Sequence, residues 1–206
     1  MKIIRNMLRF FIFLIIALLF YLLYMVLVTA FEEVGFNGWE AGLIVFSCII
    51  FGSVNIELFS YGKWIIAINV GGALLPILIS LYLMLSRKVF GKSLVGIIIV
   101  AYFAYEVTYA TSAGIVSEFP YWLIPPFVAS LYSVAVSLKN KKKAASIAYS
   151  SGTLGVLIGA DLLHINEILQ MPKGGVASIG GAAILDMVFL TGIIAVLIDA
   201  FLYGRD

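Results

Sequence analysis

The sequence predicts an all-α fold, a polytopic bundle of about seven transmembrane helices (six to seven) forming one integral-membrane domain over 1–206. Three observations predict it. Of 206 residues, 63% are hydrophobic and only 12% are charged, where a soluble domain has roughly 45–50% apolar and about 25% charged residues. The mean hydropathy is +1.13. Apolar runs of about 20 residues, the length that crosses the hydrocarbon core, recur along the chain. Such a composition excludes a compact aqueous enzyme and a disordered chain. A net charge of +2 offers no attraction to a polyanion, so nucleic acid is not an expected partner. The expected partner is the lipid bilayer and the expected location the cell membrane. One cysteine, Cys48, excludes an intramolecular disulfide and reads as a small apolar residue inside a helix.

The first apolar run, 7–31, follows Lys2 and Arg5 and contains Arg9, as a signal peptide would. It is longer than the 7–15 residues of a typical signal-peptide core, so a retained first helix is expected. Runs 38–59 and 64–86 are separated at Tyr61-Gly62-Lys63, and 64–86 ends at Arg87-Lys88. Run 93–116 stops at Ser117-Glu118-Phe119-Pro120, 119–138 at the basic stretch Lys139 to Lys143, and 144–167 before Met171-Pro172-Lys173-Gly174-Gly175, with 179–203 last. Each joint combines breakers or charge. Almost nothing is left for an extramembrane domain, so any chemistry belongs in or at the bilayer. Seven spans with an outside N-terminus place eight basic residues inside and five outside, the sense favoured by the positive-inside rule. The basic N-terminal tail opposes that sense, and a re-entrant second or third segment would reconcile it.

Two pairs of segments read alike. Gly52-Ser53-Val54-Asn55-Ile56-Glu57-Leu58 overlays Gly159-Ala160-Asp161-Leu162-Leu163-His164-Ile165, and Asn69-Val70-Gly71-Gly72-Ala73 overlays Ser178-Ile179-Gly180-Gly181-Ala182 at a nearly equal offset. The alternatives are chance similarity and an internal repeat of halves 38–86 and 144–203. Transporters are often built that way, with sites where glycine interrupts a helix. Gly155 and Gly159 form a GxxxG spacing, which reads first as close helix packing.

Ionisable groups inside a bilayer are costly and mark function or an internal pair. Glu57, Glu106, Asp161 and Asp186 fall within the spans. Glu32, Glu33, Glu40, Glu118, Glu167, Asp199 and Asp206 fall near span ends, where solvation is the simpler reading. Asp161 lies ~9 Å below one end of its span and Asp186 ~10 Å below the start of the next at 1.5 Å per residue. The loop 168–177 puts those ends on one side, so the two carboxylates are predicted at similar depth on adjacent helices. The repeat would bring Asn55, Glu57 and Asn69 to a matching depth. His164, the only histidine, shares a helical face with Asp161. It reads as an interior histidine bonded to Asp161, or as a proton relay or ligand. Asp161, His164 and Asp186 are ligand types that suit a transition metal, but their spacing specifies none. Glu106 stands between Tyr102 and Tyr109 on one face, either hydrogen-bonded by their hydroxyls or part of an ion path.

At these motifs the chain resembles domain-of-unknown-function family 1614, a family of prokaryotic multi-pass membrane proteins. The resemblance rests on Gly52-Ser53-Val54-Asn55-Ile56, Asn69-Val70-Gly71-Gly72-Ala73, Gly159-Ala160-Asp161-Leu162-Leu163, and Ser178-Ile179-Gly180-Gly181-Ala182 followed by Asp186. It covers most of the chain after the first span and implies no activity. The family usually has Pro where this chain has Glu57.

The favoured expectation is a small ion- or proton-coupled transporter. Asp161 and Asp186 would bind a proton or a small ion or solute, Asn55, Asn69, Glu57 and His164 would supply ligands, and Glu106 would be a second proton stop. One alternative is an intramembrane aspartyl protease, in which Asp161 and Asp186 form a dyad that cuts a transmembrane peptide. The Tyr-Asp, Gly-x-Gly-Asp and Pro-Ala-Leu patterns of presenilin-like enzymes are absent. The other alternative is a non-catalytic structural or accessory protein. No motif calls for a cofactor, and no oligomeric state is specified.

Overall fold

The computed structural model describes residues 2–112, 114–137 and 140–203. Lys139, Arg205 and Asp206, which enter the span-end charges above, lie outside the described residues, as do the side chains of Lys2 and Arg5. The fold is mostly helical, 73%, but two small sheets interrupt it.

Helix α1 (Lys2–Val34) is 33 residues long, ~50 Å at the α-helical rise. Only its last quarter is packed: Leu27, Ala30, Phe31 and Val34 are buried, while Phe10, Phe13, Leu19 and Phe20 are 60% or more exposed. So long an apolar surface does not persist in water on a monomer. The helices over Asn6–Val34, Phe90–Val107 and Lys141–Leu169 are long and apolar enough to cross a membrane, and they mark a membrane protein. Gly38–Phe51, Val70–Ser86, Tyr121–Ser137 and Met187–Tyr203 are shorter apolar helices. The seven segments thus recur in the expected order, but four are only 10–17 residues long.

The shortening has a cause in the second and third segments. Helix α2 (Gly38–Phe51) starts at a capping box, in which Asn37 accepts from the Glu40 N–H and Glu40 accepts from the Asn37 N–H. It ends at Phe51, and the expected span 38–59 is replaced by strand β1 (Asn55–Tyr61) and its partner β2 (Trp64–Asn69). Their antiparallel register closes Tyr61 onto Trp64, leaving Gly62-Lys63 as a two-residue turn. Gly62 has φ +57°, which glycine adopts without strain at the first turn position. Trp64-Ile65-Ile66-Ala67-Ile68 is apolar and rich in β-branched residues, a pattern that suits a buried strand as well as a membrane helix.

A π-helical turn over Val70–Leu74 leads into α3 (Leu75–Ser86), and α4 (Phe90–Val107) returns. Strands β3 (Tyr109–Thr111) and β4 (Gly114–Val116) form a short hairpin, so span 93–116 also ends early. Helices α5 (Ile124–Ser137) and α6 (Lys141–Val156) follow. A second π-helical turn, Leu157–Leu162, continues α6 to the short helix α7 (Ile165–Leu169). Strand β5 (Gly175–Ile179) then pairs in parallel with β2, giving the sheet order β1-β2-β5, before α8 (Met187–Tyr203).

Helix α6 is the hub, packed against α3, α4, α5 and α8. Every residue from Ala144 to Val156 is buried, and the small side chains there let neighbours come close. Its serines satisfy themselves one turn back: Ser146 donates to the Lys142 carbonyl and Ser150 to that of Ser146. Phe31, Tyr149 and Phe189 join α1, α6 and α8 through ring contacts.

The segments Asn69–Ala73 and Ser178–Ala182 each begin at the end of a strand and run toward a helix, and their strands lie side by side. The segments Gly52–Leu58 and Gly159–Ile165 differ: one enters a strand, the other is the π-helical end of α6.

Candidate functional site

Asp161 sits in the π-helical turn at the end of α6. Such a turn re-aims side chains relative to the helix before it, and here the Asp161 carboxylate accepts the Gly180 N–H at 3.3 Å. Asp186 is the residue before α8. Its Oδ1 accepts the Val188 N–H at 2.9 Å, as a helix N-cap does, and its Oδ2 accepts the Ala182 N–H at 3.1 Å. Asp186 is therefore at the mouth of α8, not two turns inside a helix as its span 179–203 implied. Residues 180–185 instead form a glycine elbow and a 3₁₀ turn.

The two acids nevertheless come together. Both line a cavity of about 450 Å³ bounded by β2, the β3–β4 hairpin and residues 173–179. Both also line a second cavity of about 320 Å³ beside Thr108, Trp122, Leu185 and Leu190. Ile115, Asp161, Ala182 and Asp186 are common to the two linings, so the acid pair lies on the wall the cavities share. Each acid keeps part of its surface open. Backbone N–H groups fix the aim of both, which is the preorganisation a reacting pair requires.

His164 is not bonded to Asp161. Its ring is buried, stacked on Tyr105 with centroids 4.7 Å apart, and its nitrogens face Thr108 Oγ1 at 3.2 Å and Glu167 Oε1 at 2.9 Å. Thr108 Oγ1 also donates to the Ala104 carbonyl at 2.7 Å. Thr108 lines the smaller cavity, which puts the imidazole one hydroxyl behind that wall. Among the described residues, no three His, Cys, Asp or Glu side chains gather as a metal site would require.

Asn55 and Asn69 line neither cavity. Asn69 is fully buried; its Nδ2 donates to the Gly52 carbonyl and to Asn55 Oδ1, and its Oδ1 accepts the Gly72 N–H. Every polar atom of that amide is used in holding the elbow after β2. Asn55 Oδ1 also accepts from Ser178 Oγ at 2.6 Å, tying β1 to β5. Glu57, on the exposed strand β1, and Glu106, on the exposed face of α4, border neither cavity. Tyr109, expected to serve Glu106, donates to Glu118 instead.

One acid escaped the sequence reading. Asp199, assigned above to a solvated span end, is 2% exposed and accepts from Ser130 Oγ and Ser133 Oγ of α5 at 2.5 and 2.6 Å. Ser137 bonds Tyr203 one turn further on. Serines at 130, 133 and 137 share one helical face, and that spacing was the available signal.

No curated protein and no solved structure matches the chain. The sequence pattern of one family spans residues 43–198 and contains Asp161, Asp186 and both glycine elbows. With most of its length matched, the chain belongs to the family described as protein of unknown function DUF1614.

Proposed function

We propose that the chain is a multi-pass membrane protein of the cell membrane that acts as an intramembrane aspartyl protease on transmembrane peptides. The observation that carries this reading is the meeting of Asp161 and Asp186 on a wall between two cavities, each aimed by backbone N–H donors. A hydrolytic dyad holds one proton between its two acids, because close carboxyls do not both ionise. The ionised acid takes a proton from water, and the water oxygen bonds to the scissile carbonyl carbon. The other acid gives its proton to the carbonyl oxygen. As the C–N bond breaks, the acid that served as base returns its proton to the leaving amine, and the other acid takes back a proton from a gem-diol hydroxyl, leaving the product carboxyl and restoring the dyad. Transport is the second reading. It is favoured by the second cavity, since a carboxyl bordering two cavities can pass a proton between them. The solute site expected around Asn55 and Asn69 has less support, because those amides are spent on the β1–β2–β5 framework.

One experiment separates the readings. The purified chain, reconstituted in proteoliposomes with Lys-flanked Leu/Ala transmembrane peptides that carry a central Gly pair, is expected to cut them. Cleavage should fall on both sides of a pH optimum and drop at least ~100-fold, the lower range for losing acid–base catalysis, in both Asp161→Asn and Asp186→Asn. A pH-driven flux lost in the same variants without any cleavage assigns the chain to transport. Cleavage that survives the double variant removes the dyad.

A further inference from the structure

The larger cavity has an unusual wall. Seven consecutive residues, Lys173 to Ile179, line it, and five of them are strand β5. β5 is the last strand of its sheet and pairs only with β2 among the described residues. The direction of its backbone follows from one bond. Gly175 N–H donates to the Lys63 carbonyl of the β2 side at 3.1 Å, and in a parallel ladder alternate residues face the partner. Residues 175, 177 and 179 therefore bond β2, while Val176, Ser178 and Gly180 direct their amides the other way, to the cavity side. Just past the strand, the Gly180 N–H reaches Asp161. The Ser178 carbonyl is taken by the Gly181 N–H, which leaves Val176 N–H, Val176 C=O and Ser178 N–H along the edge. The outward amides thus run in one line from the cavity to the proposed dyad. The β3–β4 hairpin, through Thr111, Gly114 and Ile115, closes the far side of the same space.

From this we infer that the substrate is bound as an extended strand, added in register to the open edge of β5 between that strand and the β3–β4 hairpin. The inference rests on the protease reading and names its substrate conformation: a membrane peptide able to give up its helix locally. A helical segment hydrogen-bonds its own carbonyls and cannot offer them to the edge or to the acids. An added strand exposes them, and its bonds to Val176 and Ser178 fix which peptide bond stops at Asp161 and Asp186. Main-chain pairing would give the affinity, and the alternating side chains would give the sequence preference. Among the described residues the outer edge of β1 is also unpaired, but β1 lines neither cavity and leads to no acid.

The test uses the full chain carrying Asp186→Asn and the same Gly-centred transmembrane peptide, labelled with ¹³C=O at its centre. The labelled amide I band is expected to move from the helix to the strand position on binding, with one peptide per chain. N-methylation of the peptide at alternate residues should weaken binding by up to about tenfold in one register and leave the other unchanged, the effect of losing the hydrogen bond to the Val176 carbonyl. Aggregated strands would lose both registers alike. Val176→Pro, which removes an edge donor without touching the β2 ladder, should weaken binding by a similar factor. A label that stays helical, the absence of a strand band at saturating peptide, or full affinity in Val176→Pro overturns strand addition. If the wild type cuts the peptide in that case, the protease reading stands alone. If the label turns to strand but the wild type cuts nothing, the protease reading fails and the edge site stands.

Discussion

Asp199 is where a single residue most clearly departs from its sequence context. Four residues from the end of α8, it looked like a carboxylate in reach of headgroups, yet it is enclosed by α5 and α8. Ser133 has one proton and two acceptors within reach, Asp199 Oδ2 at 2.6 Å and the Ser130 carbonyl at 2.7 Å. An amide at 199 would donate to Ser133 and accept from Ser130, freeing the Ser133 proton for the carbonyl. Asp199→Asn is therefore expected to unfold in detergent at close to the wild-type temperature. Asp199→Ala strands the buried Ser130 hydroxyl, while Ser133 keeps the Ser130 carbonyl, and should cost about 1–3 kcal/mol for the group left unsatisfied. Equal losses in the two variants would mean that the charge, not the hydrogen bonds, is what the clasp requires. By contrast, Asp161 and Asp186 were legible as a pair, because the loop between them returns the chain to the same side whatever the details of the helix ends. Asn55 and Asn69 were legible as interior amides but not as scaffold, since a capping amide and a ligand amide look the same in sequence.

Elements were read well where their pattern had one meaning. The helices over α1, α4 and α6 are long, apolar and bounded by charge, and they appear where expected. The β1–β2 hairpin was missed because a short apolar, β-branched run fits a strand and a membrane helix equally, and its Gly-Lys turn resembles an inter-helix joint. The glycine elbows carry more than the flexibility read into them. A Cβ on Gly72 would lie 2.1 Å from the Gly180 carbonyl oxygen, and one on Gly180 would lie 2.6 Å from Ala73 Cβ. The two elbows cross backbone to backbone, which sets β5 beside β2 and brings Gly180 to Asp161. Gly72→Ala is expected to lower stability by several kcal/mol, as overpacking of a rigid contact does, and to abolish cleavage with it. Gly91, in the first turn of α4, has nothing within 4 Å of its Cβ position. Gly91→Ala should be neutral or stabilising by up to ~1 kcal/mol, since alanine is the better helix former. Thermal unfolding of the two variants side by side distinguishes a close crossing from general intolerance of glycine loss.

On the scale of the whole molecule the chain has two unlike ends. At one, Arg87 donates to the Val34 and Gly35 carbonyls, Lys92 to that of Val136, and Lys141 pairs with Glu33 at 3.5 Å. These contacts gather the end of α1, the start of α2, the α3–α4 joint and the α5–α6 joint into one basic pole. The other end holds both sheets, both cavities and the acid pair, with Lys63 and Lys173 flanking the turn where β2 meets β5. Successive helices run between the poles in alternation, so whichever way the protein lies, the dyad opens toward the side opposite Arg87, Lys92 and Lys141 to Lys143. Basic residues are retained on the cytoplasmic side. The sheets and cavities are therefore expected to face outward, and a peptide would be cut at the external boundary of the bilayer. Cysteine labelling in intact cells checks this without knowledge of the substrate, because the native Cys48 is buried. Lys63→Cys and Lys173→Cys, both at exposed positions, should react with a membrane-impermeant maleimide from outside. Lys143→Cys, exposed at the basic pole, should react only after permeabilisation. The reverse pattern would place the dyad on the cytoplasmic side and mean that the short polar joints, not the basic count, govern insertion. Labelling of all three from outside would contradict the alternation of the helices itself.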